Sequence, residues 1–284
     1  MTTAADVRDQ GLRDIQGPSA LGGGTRRFFD LWWLTAKTQF KLGYHGTVLG
    51  FLWSLVRPLM LFAILLLVFT QVFRLDTVPH YAALLLLNVM LFGLFQEATI
   101  NSVQSVVANE ALIRKMQFPR LVIPLSVVLT VSLQFTLNLV VVFVIITATG
   151  VHPIWTWVLF PLLVAAILVL TTAVSMLLSA LFVRLRDVAI IWTVLATVLF
   201  YATPVLYPID YLDGAFRTVI MLNPLTPLFN QAHEWVINSS APGAIEAANG
   251  DWLLLVIPAL LYVAICVLGV WKFVREAPRV AEDL

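Results

Sequence analysis

The chain has 284 residues, of which 60% are hydrophobic and only 12% charged, and its mean hydropathy is +0.93. A soluble domain carries about 25% charged residues, so most of this molecule faces lipid or itself, which excludes an ordinary soluble enzyme. The net charge of +1 says nothing by itself about nucleic acid, which is not expected as a partner.

Residues 1–25 hold Asp6, Arg8, Asp9, Arg13 and Asp14 ahead of a GPSALGGG segment. They lack the apolar core of a signal peptide and read as a mobile cytoplasmic tail. Over 26–46, Phe29, Trp32, Trp33, Ala36, Phe40 and Gly43 share one helical face. Arg27, Asp30, Lys37, Thr38 and Lys41 lie opposite or beside it. Aromatics on one side and cations on the other describe an amphipathic helix lying among the headgroups of membrane lipids. A helix packed on a partner subunit carries the same pattern.

A crossing helix needs about 20 mostly apolar residues. Six segments meet that demand: 49–73, 81–107, 121–149, 154–183, 188–207 and 251–273. No Asp, Glu, Lys or Arg occurs between Leu121 and Val183, a length that suits two spans reversed at TGVHPIW through Gly150 and Pro153. Continuous apolar runs without alternation exclude a membrane barrel. The expected fold class is therefore all-α, a polytopic membrane protein with six transmembrane helices.

In the first span Arg57 precedes Pro58, about 12 Å along a helix that begins near Leu49. An arginine at that depth needs a carboxylate, a phosphate or water, or it snorkels to the interface. Phe62, Phe69 and Phe73 recur on one face of this span, and Phe92 and Phe95 lie on the second. Such rings either stack weakly on sliding sugar rings, as channel aromatics, or serve packing and lipid contact. Glu97, Asn101, Gln104, Ser105 and Ala108 form a polar stripe on the second span. That stripe faces a dimer axis or a wet cavity, or else projects from the bilayer.

Between spans two and three stands NEALIRKMQFPR, Asn109 to Arg120. Asn109 is a suitable N-cap and Pro119 marks the stop. Leu112, Ile113 and Met116 make an apolar stripe, Glu110, Arg114 and Lys115 occupy other faces, and Phe118 and Arg120 close the segment. Periodicity allows two fates for it, resting on lipid or plugging into a groove of a soluble protein.

The segment 208–250 carries apolar pieces too short to cross, split at NPLTP, where Pro224 and Pro227 prevent one continuous helix. It reads as an outer helical hairpin, either re-entrant or resting on the headgroups. Tyr201, Tyr207, Asn223, Pro224, Thr226 and Pro227 form a candidate outer gate, with the two tyrosines equally suited to an interfacial belt. The single cysteine, Cys266, lies in the last apolar run and forms no internal disulfide. The four histidines, His45, His80, His152 and His233, show no metal-ligand spacing.

With the N-terminus inside, 15 of the 17 Lys and Arg fall on the cytoplasmic side, and only Arg74 and Arg217 lie outside. An even number of spans returns the C-terminus to the cytoplasm, so both ends are expected there, in the cytoplasmic (inner) membrane.

The stretch YHGTVLGFLWSLVRPLM resembles the start of the first span in ABC-2 type exporter permeases, through Tyr44, Leu49, Gly50, Leu52, Trp53 and Pro58. NEALIRKMQFPR after span two, TPVLYP at 203–208 and LNPLTP at 222–227 resemble the same family in order. The likeness covers nearly the whole chain after residue 25 and makes 47–284 an ABC-2 transmembrane domain. The most similar sub-group exports lipid-linked polysaccharides of O-antigen, teichoic acid or actinobacterial galactan type. Arginine outnumbers lysine 13 to 4, which tilts the comparison toward the galactan exporter.

The resemblance implies a homodimer with two copies of a separate ABC nucleotide-binding (ATPase) subunit, which binds ATP and Mg. Residues 109–120 would then be the coupling helix seated in that subunit. It further implies a polyprenyl-diphosphate-linked polysaccharide as cargo, with Trp53, Arg57, Glu97 and Asn101 at the substrate entrance and Arg57 meeting the diphosphate. The chain itself holds no G-x-x-x-x-G-K-[ST] loop, and GGGT at 22–25 lacks the lysine, so no cofactor is expected in it. Other readings are an exporter of a different lipid or drug, and a membrane transferase acting on a lipid carrier, which needs clustered carboxylates or histidines. A secondary transporter would show inverted repeats with paired interrupted spans.

Overall fold

The computed structural model describes residues 24–44, 50, 52–75, 78–110, 119–212, 214–249 and 251–276. Residues 1–23 of the expected tail and 111–118 of the expected coupling helix lie outside them. Secondary structure among the described residues is entirely helical. In chain order it comprises α1 (Gly24–Tyr44), α2 (Leu52–Gln71), α3 (Tyr81–Val103), α4 (Ser105–Ala108) and α5 (Val122–Ala148). A 3₁₀ turn, Trp155–Leu159, leads into α6 (Phe160–Arg184), followed by α7 (Val188–Ala202) and α8 (Gly214–Met221). Then come α9 (Thr226–Ala232), a π-helical turn His233–Ile237, α10 (Ala244–Ala247) and α11 (Leu253–Glu276).

Five helices are long and apolar enough to cross a membrane: α2, α3, α5, Trp155–Arg184 and α11. The sixth expected span, 188–207, is shorter than its apolar run. Helix α7 has 15 residues and ends at Ala202. That is about 22 Å at the helical rise, against a hydrocarbon core of about 30 Å. The cause is Pro204, which disfavours helical geometry in the residue before it; Thr203 is extended, at φ −103° and ψ 146°. The second expected span is also interrupted, at Gln104, with α4 continuing it for one turn.

Helix α3 is the centre of the bundle. Seventeen of its 23 residues are buried, as an all-round apolar helix demands when neighbours enclose it. It packs against α2, α5, α6 and α7, and Leu84–Leu87, Leu91 and Phe92 are sealed within the core. Its open positions are few: apart from Ala82 near the start, Gly93, Gln96, Glu97, Ile100 and Asn101 form one line on one face.

Helices α6 and α11 pair closely because Gly269 removes a side chain where they cross. A Cβ there would lie 2.3 Å from the Ala173 carbonyl oxygen. Small residues at such crossings let backbones approach, which is how membrane helices gain packing without a hydrophobic drive between them. At one end of this pair, the buried Glu276 carboxylate binds Arg184 at 2.7 Å and Lys272 at 3.2 Å.

Helix α1 rests partly on its own chain. Ala36 is fully buried, and the Thr130 hydroxyl of α5 lies 3.2 Å from the Ala36 carbonyl oxygen and 3.3 Å from Gln39 Oε1. Phe29, Trp33, Leu34 and Leu42 stay exposed. The face expected to lie in lipid is thus divided, with Ala36 against α5 and the larger aromatics Phe29 and Trp33 open. Helices α2 and α7 are also thinly covered: α2 buries no residue, and α7 buries only Ala196.

Candidate functional site

Between α2, α3 and α7 lies a cavity of about 440 Å³, lined by Arg57 and Pro58 of α2, Gln96, Glu97 and Asn101 of α3, and Thr193 of α7, with Phe92 and Phe200 at its apolar side. Helical spacing on α3 builds one wall, since 93, 97 and 101 are successive turns of one face. Among the described residues Arg57 and Glu97 are its only charged lining groups, of opposite sign. Three of the four expected entrance residues, Arg57, Glu97 and Asn101, therefore meet around one space. Trp53, the fourth, is exposed one turn before Arg57.

Behind Glu97 is a second, smaller cavity of about 50 Å³, lined by Ser54, Pro58, Gly93, Gln134 and Asn138 among others, and by Glu97 itself. The Asn138 amide donates to the Ser54 carbonyl at 3.2 Å, and the Ser54 hydroxyl donates to Asn138 Oδ1 at 3.5 Å. This amide-rich recess is enough for a water or a carboxylate. Sequence reading missed Gln134 and Asn138, although a lone polar residue in an apolar run is itself a signal.

The expected channel aromatics divide. Phe92 is fully buried at the cavity wall and meets Phe200 edge-on at 5.2 Å. Phe95 is buried in the core and contacts Trp192 at 6.2 Å. Phe62 and Phe69 pack against the core, while exposed Phe73 stacks on Phe69 at 5.0 Å. The polar stripe that continues from α3 into α4 also divides: Ser105 turns inward and donates to the Ser102 carbonyl at 2.7 Å, while Gln104 and Ala108 stay exposed.

The expected outer gate is a connected structure. After α7 the chain runs in non-helical form through buried Thr203, Pro204, Val205 and Leu206. Its free carbonyls are met by α3: Asn88 Nδ2 donates to Pro204 at 3.0 Å and to Val205 at 3.4 Å, and the Tyr81 hydroxyl donates to Leu206 at 2.7 Å. Asn223 Nδ2 donates to the Thr203 hydroxyl at 2.8 Å, and Asn223 Oδ1 accepts from the Leu225 amide at 3.0 Å. Thr226 donates to the Ile220 carbonyl at 2.7 Å, and Tyr207 to the Tyr201 carbonyl at 2.8 Å. Pro227 opens α9, where its missing N–H costs nothing. Pro224 lies half-buried in the turn before it. The NPLTP break thus produces the expected pair of short helices, α8 and α9.

Two charged groups of this outer segment are perturbed. Burial pushes the Asp210 carboxyl up, against the opposing influence of Arg217. Burial also pushes the His233 imidazole down to about 4, and its Nε2 has no hydrogen-bond partner among the described residues. Among the described residues no three of His, Cys, Asp and Glu converge to hold a metal.

Residues 30–234 match the ABC-2 type transporter family. The chain belongs to that family. It is 31% identical over 213 residues to an O-antigen export system permease protein, RfbA, of Klebsiella pneumoniae, covering 75% of this chain and 82% of that protein. It is 33% identical over 192 residues to the RfbA permease protein of Myxococcus xanthus, covering 67% of this chain and 74% of that one.

In this ABC-2 protein the segment expected to couple to an ATPase is described only at its flanks. Leu112, Ile113, Arg114, Lys115, Met116 and Phe118 fall outside the described residues. Asn109 lies just past the end of α4 and donates from Nδ2 to the Ser105 carbonyl at 2.8 Å, so it closes α4 rather than standing free. Glu110 follows it, and Arg120 stands in the turn that leads to α5. Both flanks are anchored in one place: Val106 of α4 and Ile123 of α5 pack with Met176, Ala180 and Phe273 in a compact cluster at the ends of α6 and α11.

Proposed function

We propose that this protein is the membrane-spanning subunit of an ATP-driven exporter of a lipid-linked polysaccharide, working as a homodimer with separate ATP-binding subunits. The observation that carries this reading is that Arg57 and Glu97 line one cavity beside two thinly covered helices. Charged groups at membrane depth face protein or water, not lipid. Here they open between α2 and α7, helices that their own chain leaves bare. A second copy set against that face encloses the two cavities around a common axis and gives a polar, ring-lined path. The O-antigen export proteins among its relatives support a glycan as cargo, and we take its carrier to be a polyprenyl diphosphate that Arg57 meets at the cytoplasmic entrance.

In this reading the chain crosses the cytoplasmic membrane six times. Helix α7 is completed by the extended segment 203–208, which is tolerated at membrane depth because Asn88 and Tyr81 satisfy its carbonyls. Both termini then lie in the cytoplasm, α1 lies at the interface, and the α8–α9 hairpin caps the outer end as a re-entrant element. Residues 109–120 seat in the ATPase subunit, and the cluster around Val106 and Ile123 passes their movement to α6 and α11.

The test is reconstitution with an ATPase encoded beside this protein. The pair moves polyprenyl-diphosphate-linked glycan into vesicles when ATP is supplied, the protein alone neither hydrolyses ATP nor transports, and Arg57→Gln stops transport with the ATPase still bound. ATP hydrolysis by the isolated chain, or full transport by Arg57→Gln, overturns the reading.

A further inference from the structure

The larger cavity carries one positive and one negative group and, among the described residues, no other charge on its wall. A site built only to hold an anion has no use for a carboxylate facing its arginine, because the two anions compete. The carboxylate has somewhere else to go. Side chains on a helix lean toward its N-terminus, so Glu97 lies over Gly93, one turn earlier. Gly93 lines both cavities, and a Cβ built there would touch nothing within 4 Å. The glycine leaves an open track from the front cavity to the recess of Gln134 and Asn138. Gln134 brings amide N–H donors that suit a carboxylate.

We propose that Glu97 is a displaceable counter-ion that selects the cargo: it neutralises Arg57 in the empty site and turns back over Gly93 when a phosphate takes its place. This rests on the reading of Arg57 as the phosphate ligand. An anion gains access only by outcompeting the resident carboxylate. A diphosphate, with more charge and more acceptor oxygens, does so better than a monophosphate or a zwitterionic headgroup. Glu97 thus keeps the bulk lipids of the bilayer out of a site they surround, a form of specificity gained by a repulsive element.

The experiment measures binding of undecaprenyl diphosphate and undecaprenyl monophosphate to the full chain in phosphatidylcholine nanodiscs. Wild-type protein favours the diphosphate. Glu97→Gln tightens both ligands, the monophosphate by about tenfold, within the usual range of coupling between two sites, and narrows the preference. Gly93→Ala blocks the track and weakens both ligands in the wild-type background, yet changes nothing once Glu97→Gln is present. Such non-additivity is what a shared element produces, and a general packing defect would persist in the double variant. Weaker or unchanged binding by Glu97→Gln, with binding still lost in Arg57→Gln, overturns the counter-ion and leaves the proposed function standing. Unchanged binding by Arg57→Gln overturns both.

Discussion

The carboxamide of Asn88, in the middle of the most buried helix, donates to the carbonyl oxygen of Pro204 at 3.0 Å. A helix that ends early inside an apolar bundle leaves backbone acceptors with no water to meet them, and each such group costs about 1–3 kcal/mol if left unpaired. Asn88 serves two of them, and Tyr81 serves a third.

Replacing Asn88 with Leu, close in size but without donors, is therefore expected to cost about 1–3 kcal/mol, and Tyr81→Phe somewhat less. Thermal unfolding of the purified protein in detergent reads both as lowered midpoints. An unchanged midpoint for Asn88→Leu would show that the carbonyls of Pro204 and Val205 have another donor.

Gly269→Ala is expected to loosen α11 from α6 by about 1–3 kcal/mol, the usual cost of overpacking. The obstacle is the main-chain oxygen of Ala173, so Ala173→Gly does not restore the loss. Gly93→Ala and Gly43→Ala meet nothing and serve as near-neutral controls for stability, measured in the same unfolding assay.

Glu276 is nearly buried and joins Arg184 to Lys272. Glu276→Gln leaves two cations without their counter-charge and is expected to destabilise the protein more than Lys272→Gln, whose partner keeps Arg184. Arg184 is substantially exposed, so the loss lies below the 3–5 kcal/mol typical of a fully buried broken pair. Limited proteolysis at the ends of α6 and α11 offers a local readout. Equal protection of the two variants would count against the central place given to Glu276.

His233 stands outside the spanning helices, and burial holds it neutral down to about pH 4, from an ordinary value of 6.5. The unfolded chain protonates there as pH falls below about 6.5, whereas the fold resists until about 4. This group's stabilising influence is thus complete above about 6.5 and is lost progressively between about 6.5 and 4, by about 3 kcal/mol in all. The unfolding midpoint of His233→Gln should vary less over that interval than that of the wild-type protein.

Much of this was readable from residue order. Glu97 and Asn101 sit one turn apart in an apolar run, and that spacing alone predicts a common face. Arg57 beside Pro58 marks a depth at which only a polar neighbour or the interface is tolerable, and Glu97 lines the same cavity. The NPLTP break foretells two short helices. What escaped notice depends on tertiary contact. Asn88 reads as one stray amide among leucines until the extended segment 203–206 is laid beside it. Gln134 and Asn138 gain meaning only when α5 turns them toward the back of Glu97. The length of α7 was misjudged because hydrophobicity continues through Val205 and Leu206 while Pro204 ends the helix. The aromatic face of α1 was read whole, yet the small residue within it, Ala36, is the one that finds α5.

The opposite signs of Arg57 and Glu97 have an electrical consequence. A membrane potential acts on an embedded charge with about 2.3 kcal/mol per 100 mV, enough to bias any structure that carries a net charge part-way across. These two groups line one cavity, and their opposite signs offset each other, so the pair itself presents little for that field to push. Under the proposed function, a bound diphosphate adds negative charge at that depth, and voltage then bears on the occupied site more than on the empty one.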